Sequence, residues 1–457
     1  MSGSVHAAAG ALMARLGREQ GRPEAMSDVL AGMVAARAGD HGARLALAAC
    51  RWATGEYRAA VAEYRVLLAA HPRDGHLGYA LGRALVQTGA AGEGEALLRA
   101  VAAALPGHAE AQAWWGMALM ALRRQAEALE PLEAALRLRP EEKMWHMARA
   151  EALLALGRWE AGWAEHAWRW QGVSGARLRV PADPLLRPDP SAWAGRTVLL
   201  YAEQGHGDTL QCLRYVPMAV AAGARVVLEV QPGLVRLARE IAGLDVIGAG
   251  EPVPGHDVAV PMFHLPWAFG TTVEAMPPGG AYLAADPVLA ARWQGRLAAL
   301  PGLKVGLVWA GEPRPEDPAA LATDRRRSVP LAALAPLGTV AGVSLVSVQT
   351  GVAGAQVPPP GMMLHDWTAE LTDFAETAAL MAGLDLLVSV DTAPAHLAGA
   401  LGREVWLLNR FDTCWRWLLD REDSPWYPTL RQFRQAAPGE WACVVARVAA
   451  ALAERAR

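Results

Sequence analysis

The spacing of apolar residues divides the chain into two regions with different sequence patterns. In the first third, apolar positions recur at steps of three and four residues, as in GEYRAAVAEYRVLLAAHP, and this spacing predicts amphipathic helices. From about residue 193 onward, short apolar runs such as TVLLY, ARVVLEV and LKVGLV alternate with helical stretches. Such alternation is typical of a parallel sheet covered by helices. The pattern therefore predicts an all-α region followed by an α/β region.

A fixed spacing organises the helical region. Pro72, Pro106 and Pro140 are 34 residues apart, which is the period of a tetratricopeptide helix pair. Gly82 and Gly116 are one period apart, and we expect two helices to approach closely at each. The same register holds at the expected inter-helix turns, at Gly55, Gly89, Arg123 and Gly157. Since one helix pair cannot bury its own apolar face, the pairs are predicted to stack into a superhelix that binds extended partners.

The predicted domain limits follow the changes in sequence pattern along the chain. Four prolines, Pro181, Pro184, Pro188 and Pro190, separate the two regions and indicate a linker. Two successive series of strands and helices then indicate two Rossmann-like domains that face one another. The predicted domains are a tetratricopeptide-repeat domain at 1–170, a linker at 171–192, Rossmann-like domains at 193–286 and 287–435, and a C-terminal helix at 436–457.

Composition narrows the class of protein. Of the 457 residues, 53% are hydrophobic and 19% charged, and the net charge of −3 gives no support to a nucleic-acid partner. Cys50, Cys212, Cys414 and Cys443 are far apart, so neither a disulfide framework nor a metal site is expected, and a reducing cytoplasm fits best. The sequence contains no signal-peptide pattern and no apolar window of about 18 residues, so no membrane span is expected.

Tryptophan is concentrated in two stretches, RWEAGWAEHAWRWQ and VWLLNRFDTCWRWLLDREDSPWYPT. The first is predicted to pack against the domain that follows it, with a peptide-binding surface as the alternative. In the second, most rings are predicted to lie in a core, with stacking on a nucleobase or sugar as the alternative.

The loop EQGHGDT follows the predicted strand TVLLY. Gly205 and Gly207 can adopt positive φ and let the backbone approach a ligand, with Asp208 or Thr209 at a helix start. Two interpretations stay open at this point. Asp208 either caps the helix, with Gln211 as its N3 partner, or faces a substrate. The loop lacks the six-residue dinucleotide fingerprint, so NAD binding is not indicated.

A second loop, SVDTAPAHLAGALG, also connects a predicted strand to a helix. Asp391 and Thr392 lie at the strand end, and the N–H groups of Thr392 and Ala393 are placed to receive a diphosphate at the helix N-terminus. His396 is expected on the first helical turn. The alternative interpretation is that the aspartate caps the helix and the proline occupies its first turn, which accounts for the same residues without a ligand.

Four further candidate residues stand at predicted strand ends or beside basic residues. Arg327 and Ser328, in DRRRSVPL, are the best phosphate-binding side chains by their place before a predicted helix, although a solvated charge run is an equal alternative. Gln349 ends the predicted strand VSLVSVQ. His264, in VPMFHLPWAFG, is placed to contact an acceptor or to act as a base, although a single histidine there is more often structural.

Taken together, these motifs resemble a known family. The stretch LTDFAETAALMAGL followed by DLLVSVDTAPAHLAGALGREVW is similar to the donor-binding segment of the heptosyltransferases, glycosyltransferase family 9. AEQGHGDTLQCLRYVP, GLVWAG, RRRSVPL and REDSPWYP extend the resemblance over residues 193–434, and the whole layout resembles bacterial proteins that fuse tetratricopeptide repeats to such a domain. It is also similar in layout to protein O-GlcNAc transferases and to flagellin glycosyltransferases.

The resemblance implies a two-domain glycosyltransferase B-type fold and a metal-independent transfer from a CMP- or NDP-sugar, with no other cofactor. It implies that Asp208 acts as general base and that Asp391, Thr392 and Ala393 contact the donor, with Ala393 standing where many relatives have glycine. The predicted donor site comprises Arg327, Ser328, Gln349, Asp391, Thr392, Ala393 and His396, and the predicted acceptor loop comprises Gln204, Gly205, Gly207 and Thr209.

The expected function is therefore sugar transfer to a hydroxyl on a protein that the repeats recruit, with a flagellin-like protein among the acceptors. Two alternatives stay open: a catalytically silent repeat scaffold, and a transferase that builds a glycan of the lipopolysaccharide type.

Overall fold

The chain divides into two compact units, Met1–Ala152 and Leu153–Arg457. The computed structural model describes residues 23–171, 185–277, 279–315 and 317–457. Residues 172–184 of the predicted linker, with Pro181 and Pro184, therefore lie outside the described residues. The predicted limit of the repeat domain at residue 170 stays a prediction, and residues 153–170 are part of the second compact unit.

The first region is helical, as its apolar spacing predicts. Its helices are α1 (Pro23–Ala36), α2 (His41–Ala53), α3 (Tyr57–Ala70), α4 (Gly75–Gln87), α5 (Ala91–Ala104), α6 (Ala109–Ala121), α7 (Gln125–Leu138), α8 (Lys143–Ala155) and α9 (Trp159–His166). The starts of α2, α4 and α6 are set by side chains one period apart: Asp40, Asp74 and His108 each accept a hydrogen bond from a backbone N–H of the first turn. The 34-residue register thus includes the N-caps.

The glycines inside the helices mark close approaches between neighbours, as predicted. A Cβ atom on Gly82 would lie 2.7 Å from Cγ of Leu98, and one on Gly116 would lie 2.6 Å from Cγ of Leu132. Both pairs are related by one period, so the same leucine packs against the same bare backbone in consecutive repeats. The contact leaves no room for any larger side chain at the glycine.

The four predicted inter-helix turns share a left-handed backbone conformation. Gly55, Gly89 and Gly157 have φ of 84°, 90° and 75°, and Arg123 has φ of 61° at the equivalent position. Only glycine adopts this region without a steric cost from its Cβ atom. The register predicted from the sequence is therefore confirmed, and Arg123 is a strained member of it.

Arg123→Gly is expected to raise the free energy of unfolding of the repeat unit by about 1 kcal/mol, because the left-handed conformation costs an L-residue about 1–2 kcal/mol and glycine's greater unfolded-state entropy offsets part of the gain. Urea titration followed by circular dichroism measures the change. The reciprocal variant is Gly89→Arg, where nothing lies within 4 Å of the added Cβ. It should lose about the same amount, and a stability loss in Arg123→Gly would contradict the interpretation.

The second unit contains two sheets in which every strand is parallel to its neighbours. The first has the order β3-β2-β1-β4 and the second the order β10-β9-β8-β5-β6-β7. The strands are β1 (Thr197–Tyr201), β2 (Arg225–Val230), β3 (Asp245–Gly248), β4 (Val258–Pro261), β5 (Leu303–Val308), β6 (Val343–Ser347), β7 (Leu364–His365), β8 (Leu386–Val390), β9 (Val405–Asn409) and β10 (Leu430–Arg434). The predicted class, helical repeats followed by an α/β glycosyltransferase-type fold, is confirmed.

Helices connect these strands. They are α10 (His206–Cys212), α11 (Val216–Ala221), α12 (Val235–Ala238), α13 (Leu265–Ala268), α14 (Pro287–Leu297), α15 (Pro318–Arg327), α16 (Phe374–Ala382), α17 (Ala393–Ala400) and α18 (Trp441–Arg455). The helical stretch DTLQCLRYVPMAVAAG is interrupted: a 3-10 turn at Leu213–Tyr215 separates α10 from α11, and Pro217 stands in the first turn of α11.

The strand orders set where ligand-binding loops lie. In the first sheet the order reverses between β1 and β4, and in the second between β5 and β8. Loops outside the carboxyl ends of strands at such a switch point form the binding crevice of open α/β sheets. The loop before Asp208 and the turn that contains His264 follow β1 and β4, and the loop at Asp391 follows β8. Those candidates therefore stand at the two switch points.

The tryptophan-rich stretches pack together in the core of the second unit. Trp159 stacks on Trp426 with ring centroids 5.0 Å apart, and Trp163 meets Trp415 edge-on at 5.2 Å. All four rings are buried. The prediction that the first stretch packs against the following domain is confirmed, and these rings leave no face for a peptide.

Candidate functional site

The loop after β1 differs in detail from its prediction. Gly205 is the N-cap of α10 and has φ of −70°, and Gly207 lies inside the helix, so neither glycine uses the positive φ that is open to it. Asp208 is residue N3 and not the N-cap, and its Oδ2 accepts a hydrogen bond of 2.8 Å from the Gly205 N–H. Gln211 is consequently not the N3 partner. The carboxylate still supports the helix start, in the return half of a capping box.

Gly207 is required by close packing. A Cβ atom at this position would lie 2.8 Å from Cδ2 of His396 and 3.4 Å from Cα of Ala393. The first turn of α10 therefore lies directly against the first turn of α17, and α10 and α17 are in extensive contact. The contact joins the switch-point loop of the first sheet to that of the second.

Arg416 completes this junction and was not identified from the sequence. Its Nη2 donates to Oδ1 of Asp208 at 2.5 Å, and its Nε donates to Oε1 of Gln211 at 2.7 Å. The aspartate and the arginine are 208 residues apart in the chain, so no local spacing connects them. Its only sequence marker is a basic residue between Trp415 and Trp417, in a stretch that otherwise predicts core packing.

A glutamine side chain that follows β2 holds the rest of the acceptor loop in place. Gln231 follows β2, and its Nε2 donates to the carbonyl oxygen of Gln204 at 2.7 Å. Its Oε1 accepts a hydrogen bond of 2.9 Å from the hydroxyl of Thr209, which is buried. Gln204 and Gly205 are exposed, so this loop presents backbone to solvent and keeps its side-chain anchors inside.

The loop after β8 forms the other side of the junction. Thr392 is the N-cap of α17, but its hydroxyl bonds to the carbonyl oxygen of Val390 at 3.2 Å and no side chain caps the first turn. The expectation that Asp391 caps this helix is therefore wrong. Pro394 occupies the first turn and lacks an N–H, so it contributes no donor to the start of α17.

Arg327 is brought to the same place. Its Nη1 donates to the carbonyl oxygen of Asp391 at 3.1 Å, and its Nε donates to Oδ1 of Asp324 at 3.0 Å. A Cβ atom on Gly311 would lie 2.2 Å from Nη2 of Arg327, so only glycine permits this approach at the end of β5. Arg327 ends α15, and the helical segment that follows Arg327 and Ser328 is a 3-10 helix that begins at Leu331.

Ser328 and Gln349 support backbone at the end of β5. The hydroxyl oxygen of Ser328 accepts a hydrogen bond of 3.1 Å from the N–H of Gly311. Oε1 of Gln349 accepts from the N–H groups of Trp309 and Ala310 at 2.9 and 2.8 Å. Both side chains therefore shape the loop near Arg327 through its main chain.

His396 is buried in the junction. Its Nδ1 is 2.9 Å from the Tyr427 hydroxyl, and its ring stacks on Trp417 at 5.4 Å. Burial, and after it the charge of Arg416, lowers the pKa of His396 to about 3. The ring is therefore neutral at physiological pH, and it fixes the first turns of α10 and α17 against the core.

His264 belongs to a buried polar cluster behind the acceptor loop. Its Nδ1 is 2.9 Å from Nη2 of Arg169, and only 2% of the residue is exposed. Arg169 donates to both carboxylate oxygens of Glu203, at 2.8 and 2.6 Å, and the N–H of Phe263 donates to Oε1 of Glu203 at 3.1 Å. Burial, followed by the charge of Arg169, lowers the pKa of the neighbouring His166 well below its ordinary value. Arg169 and Glu203 were also missed by the sequence interpretation.

Among the described residues, no helix is both long enough and apolar enough to cross a membrane. In the same part of the chain, no group of three or more histidine, cysteine or acidic side chains is arranged to hold a metal ion.

Comparison with known proteins supports the resemblance seen in the motifs. Residues 368–408 match the profile of glycosyltransferase family 9 (heptosyltransferase). Protein FlbA of Caulobacter vibrioides is 29% identical over 357 residues, which are 71% of this chain and 58% of FlbA. The chain thus matches little more than half the length of that relative.

Solved structures similar to this chain cover about a third of it. A MamA structure designated AMB-1 is 26% identical with a TM-score of 0.31, over 36% of this chain and 96% of MamA. MamA from Desulfovibrio magneticus RS-1 is 20% identical with a TM-score of 0.31, over 35% of this chain and 91% of MamA.

The predicted layout, tetratricopeptide-like repeats followed by a domain that resembles glycosyltransferase family 9, is confirmed. The family match supports a glycosyltransferase, and the matched segment contains Asp391, Thr392, Ala393 and His396.

Proposed function

We propose that this protein transfers a sugar from a nucleotide-sugar to an acceptor hydroxyl on a protein that its repeats recruit. The contact between α10 and α17 carries the proposal. It places the loop of Asp208, at the switch point of one sheet, against the loop of Asp391, at the switch point of the other. The carboxylate at one loop can take the proton of the acceptor. The helix N-terminus beside Arg327 at the other loop can stabilise the departing phosphate.

The proposed reaction uses these groups and no metal ion. The acceptor hydroxyl loses its proton to Asp208 while its oxygen forms a bond to the anomeric carbon of the donor. The bond from that carbon to the phosphate oxygen breaks, and its electron pair leaves with the phosphate. Arg327 and the backbone N–H groups at the start of α17 stabilise the charge that develops there. Asp391, Thr392 and Ala393 contact the donor, as the family resemblance implies.

The proposed roles of the other candidates follow from their contacts. Ser328 and Gln349 support the donor side through the backbone that follows β5. His396 positions the start of α17, and His264 supports the acceptor loop through Arg169.

A pocket in the repeat unit supports the recruitment of a protein acceptor. It is formed by α5, α6 and α7, and combines charged groups of both signs with an aromatic ring. Tryptophan and arginine are enriched where proteins bind other proteins. The lining residues are Arg99, Ala102, Ala103, Gln112, Trp115, Glu130, Pro131, Ala134 and Arg137. A flagellin-like protein is among the acceptors that the layout suggests.

The test of donor binding is a thermal-shift titration of the purified chain with CMP, UDP, GDP and ADP. The nucleotide that matches the donor is expected to raise Tm, since a ligand at about 100 times its Kd adds about 2.7 kcal/mol of stability. The matching nucleoside without phosphate is the control and should give a smaller shift. If none of the four nucleotides stabilises the protein, the proposal is wrong.

The same nucleotide, attached to a labelled sugar, identifies the product class. Label on a protein in a cell extract supports the proposal. Label on a glycan supports the glycan-building alternative, and donor binding without any labelled product supports the silent scaffold.

A further inference from the structure

Both carboxylate oxygens of Asp208 are already engaged. Oδ2 accepts from the N–H of Gly205, a contact internal to α10 and its cap. Oδ1 accepts from Nη2 of Arg416, which lies in the other Rossmann-like half. A general base must accept a hydrogen bond from the hydroxyl that it deprotonates. The oxygen held by Arg416 is the one that a change of partner can release without disturbing the helix start.

The contacts of Arg416 allow its guanidinium to exchange Asp208 for another partner. Its guanidinium lies over the rings of Trp415 and Phe263, with centroid distances of 4.3 and 5.2 Å, and 11% of its side chain is exposed. Gln211 and Asp208, one helical turn apart on α10, accept two of its five N–H donors, and the Cys414 sulfur accepts a third at 3.1 Å. The aromatic rings hold the plane of the guanidinium while its polar partners are free to change.

Arg416 lies beside the donor side of the junction, because the next residue, Trp417, stacks on His396 of α17 with ring centroids 5.4 Å apart. Burial opposes its charge, but Cys414, Asp208 and Asp391 together raise the pKa of its guanidinium above the ordinary value. Asp391 precedes the start of α17, where Ala393 meets Gly207. The arginine is thus coupled to carboxylates on both sides of the junction.

We propose that Arg416 is shared between Asp208 and the donor phosphates: it pairs with Asp208 in the donor-free protein and turns to the phosphates when the donor binds. The inference rests on the proposed function. Arginine binds phosphate bidentately, and a diphosphate carries more charge than one carboxylate, so the donor competes effectively for the guanidinium. Release of Oδ1 then lets Asp208 accept the proton of the acceptor hydroxyl. When the bond to the phosphate breaks, its electron pair leaves on an oxygen that Arg416 neutralises.

The change of partner by Arg416 sets the order in which donor and acceptor bind. Without donor, Arg416 occupies Oδ1 of Asp208, and the acceptor hydroxyl has to compete with a charged hydrogen-bond donor for that oxygen. With donor bound, the same arginine stabilises the leaving group and the base is free. Donor is therefore expected to bind first, and a water or acceptor hydroxyl is not activated before it arrives.

The test compares nucleotide affinity among variants of the full chain, by isothermal titration with UDP, GDP, ADP and CMP. Asp208→Asn removes the competing charge and keeps an oxygen for the Gly205 N–H. We expect it to bind the preferred nucleotide about tenfold more tightly than the natural chain, because the coupling between two ligands of one group is reciprocal. Arg416→Gln should bind about tenfold more weakly, and Arg416→Lys should fall between.

The control is Asp286→Asn. Asp286 caps α14 through the N–H groups of Val288 and Leu289, and its variant should bind nucleotide like the natural chain. The inference would be overturned if Asp208→Asn bound nucleotide no more tightly than a natural chain that binds nucleotide and transfers sugar. The proposed function would then remain intact. A natural chain that binds none of the four nucleotides would overturn both.

Discussion

Asp208→Asn is expected to lower the rate of sugar transfer by about 10²–10⁴-fold, the contribution typical of a general base. The amide cannot take the proton of the acceptor hydroxyl. Its carbonyl oxygen can still accept from the N–H of Gly205, which stabilises the start of α10 in the natural protein. The loss should therefore appear in kcat of a folded protein, although its melting temperature should fall because Arg416 loses its counter-ion. Transfer of labelled sugar under donor saturation measures it.

Asp286→Asn is the matched control for chemistry as well as for binding, because it makes the same substitution at the start of a helix, α14, that contributes none of the proposed site residues. It should leave kcat unchanged. A natural kcat in Asp208→Asn would exclude Asp208 as the base, and donor binding combined with no transfer in either protein would favour the silent scaffold.

The repeats were predictable because each carries its own local information. Asp74 starts a helix through two adjacent N–H groups, Gly89 permits a left-handed turn, and Gly82 permits a close approach to Leu98. Each effect acts over a few residues or within one repeat, so a fixed spacing in the sequence reports it. Most strands of both sheets were predictable for a similar reason, since buried parallel strands are short apolar runs. The exceptions are β7, which has two residues, and β10, whose sequence LRQFR is largely polar.

The junction was predictable only in part. Asp208 and Asp391 follow strand ends, and strand ends are visible in a sequence. Arg416 reaches Asp208 from a segment 208 residues away, and only the fold brings them together. The glycines of the first loop show a second difficulty, because Gly207 is needed for space beside His396 and not for an unusual φ. A need for space and a need for positive φ both select glycine, so the sequence alone does not distinguish them.

The buried cluster behind the acceptor loop leads to the largest expected change in stability. Glu203→Gln is expected to lower the free energy of unfolding of the second unit by about 3–5 kcal/mol, the usual cost of removing one partner from a buried ion pair. The side chains of Arg169 and Glu203 are only 9% and 6% exposed. Urea unfolding followed by tryptophan fluorescence measures the change, since the buried tryptophans of the second unit report its core.

Geometry makes the loss difficult to relieve. The carboxylate accepts on both oxygens, from Nε and Nη2 of Arg169 and from the N–H of Phe263. An amide of the same shape must direct its NH₂ group at one of these donors in either orientation, and Arg169 keeps a buried charge without a counter-ion. Both the electrostatic and the hydrogen-bonding terms therefore act in the same direction.

The matched control is Glu422→Gln, which breaks a salt bridge to Arg431 in which the side chains are 68% and 51% exposed. Water screens that pair, so its loss should change the free energy of unfolding by at most about 1 kcal/mol. The double variant Arg169→Met/Glu203→Leu should be more stable than Glu203→Gln, because apolar side chains of similar volume leave no buried charge unpaired. Equal losses in Glu203→Gln and Glu422→Gln would show that water reaches the cluster. A large loss confined to Glu203→Gln, relieved in the double variant, would establish that the acceptor loop is fastened to Arg169 by charge.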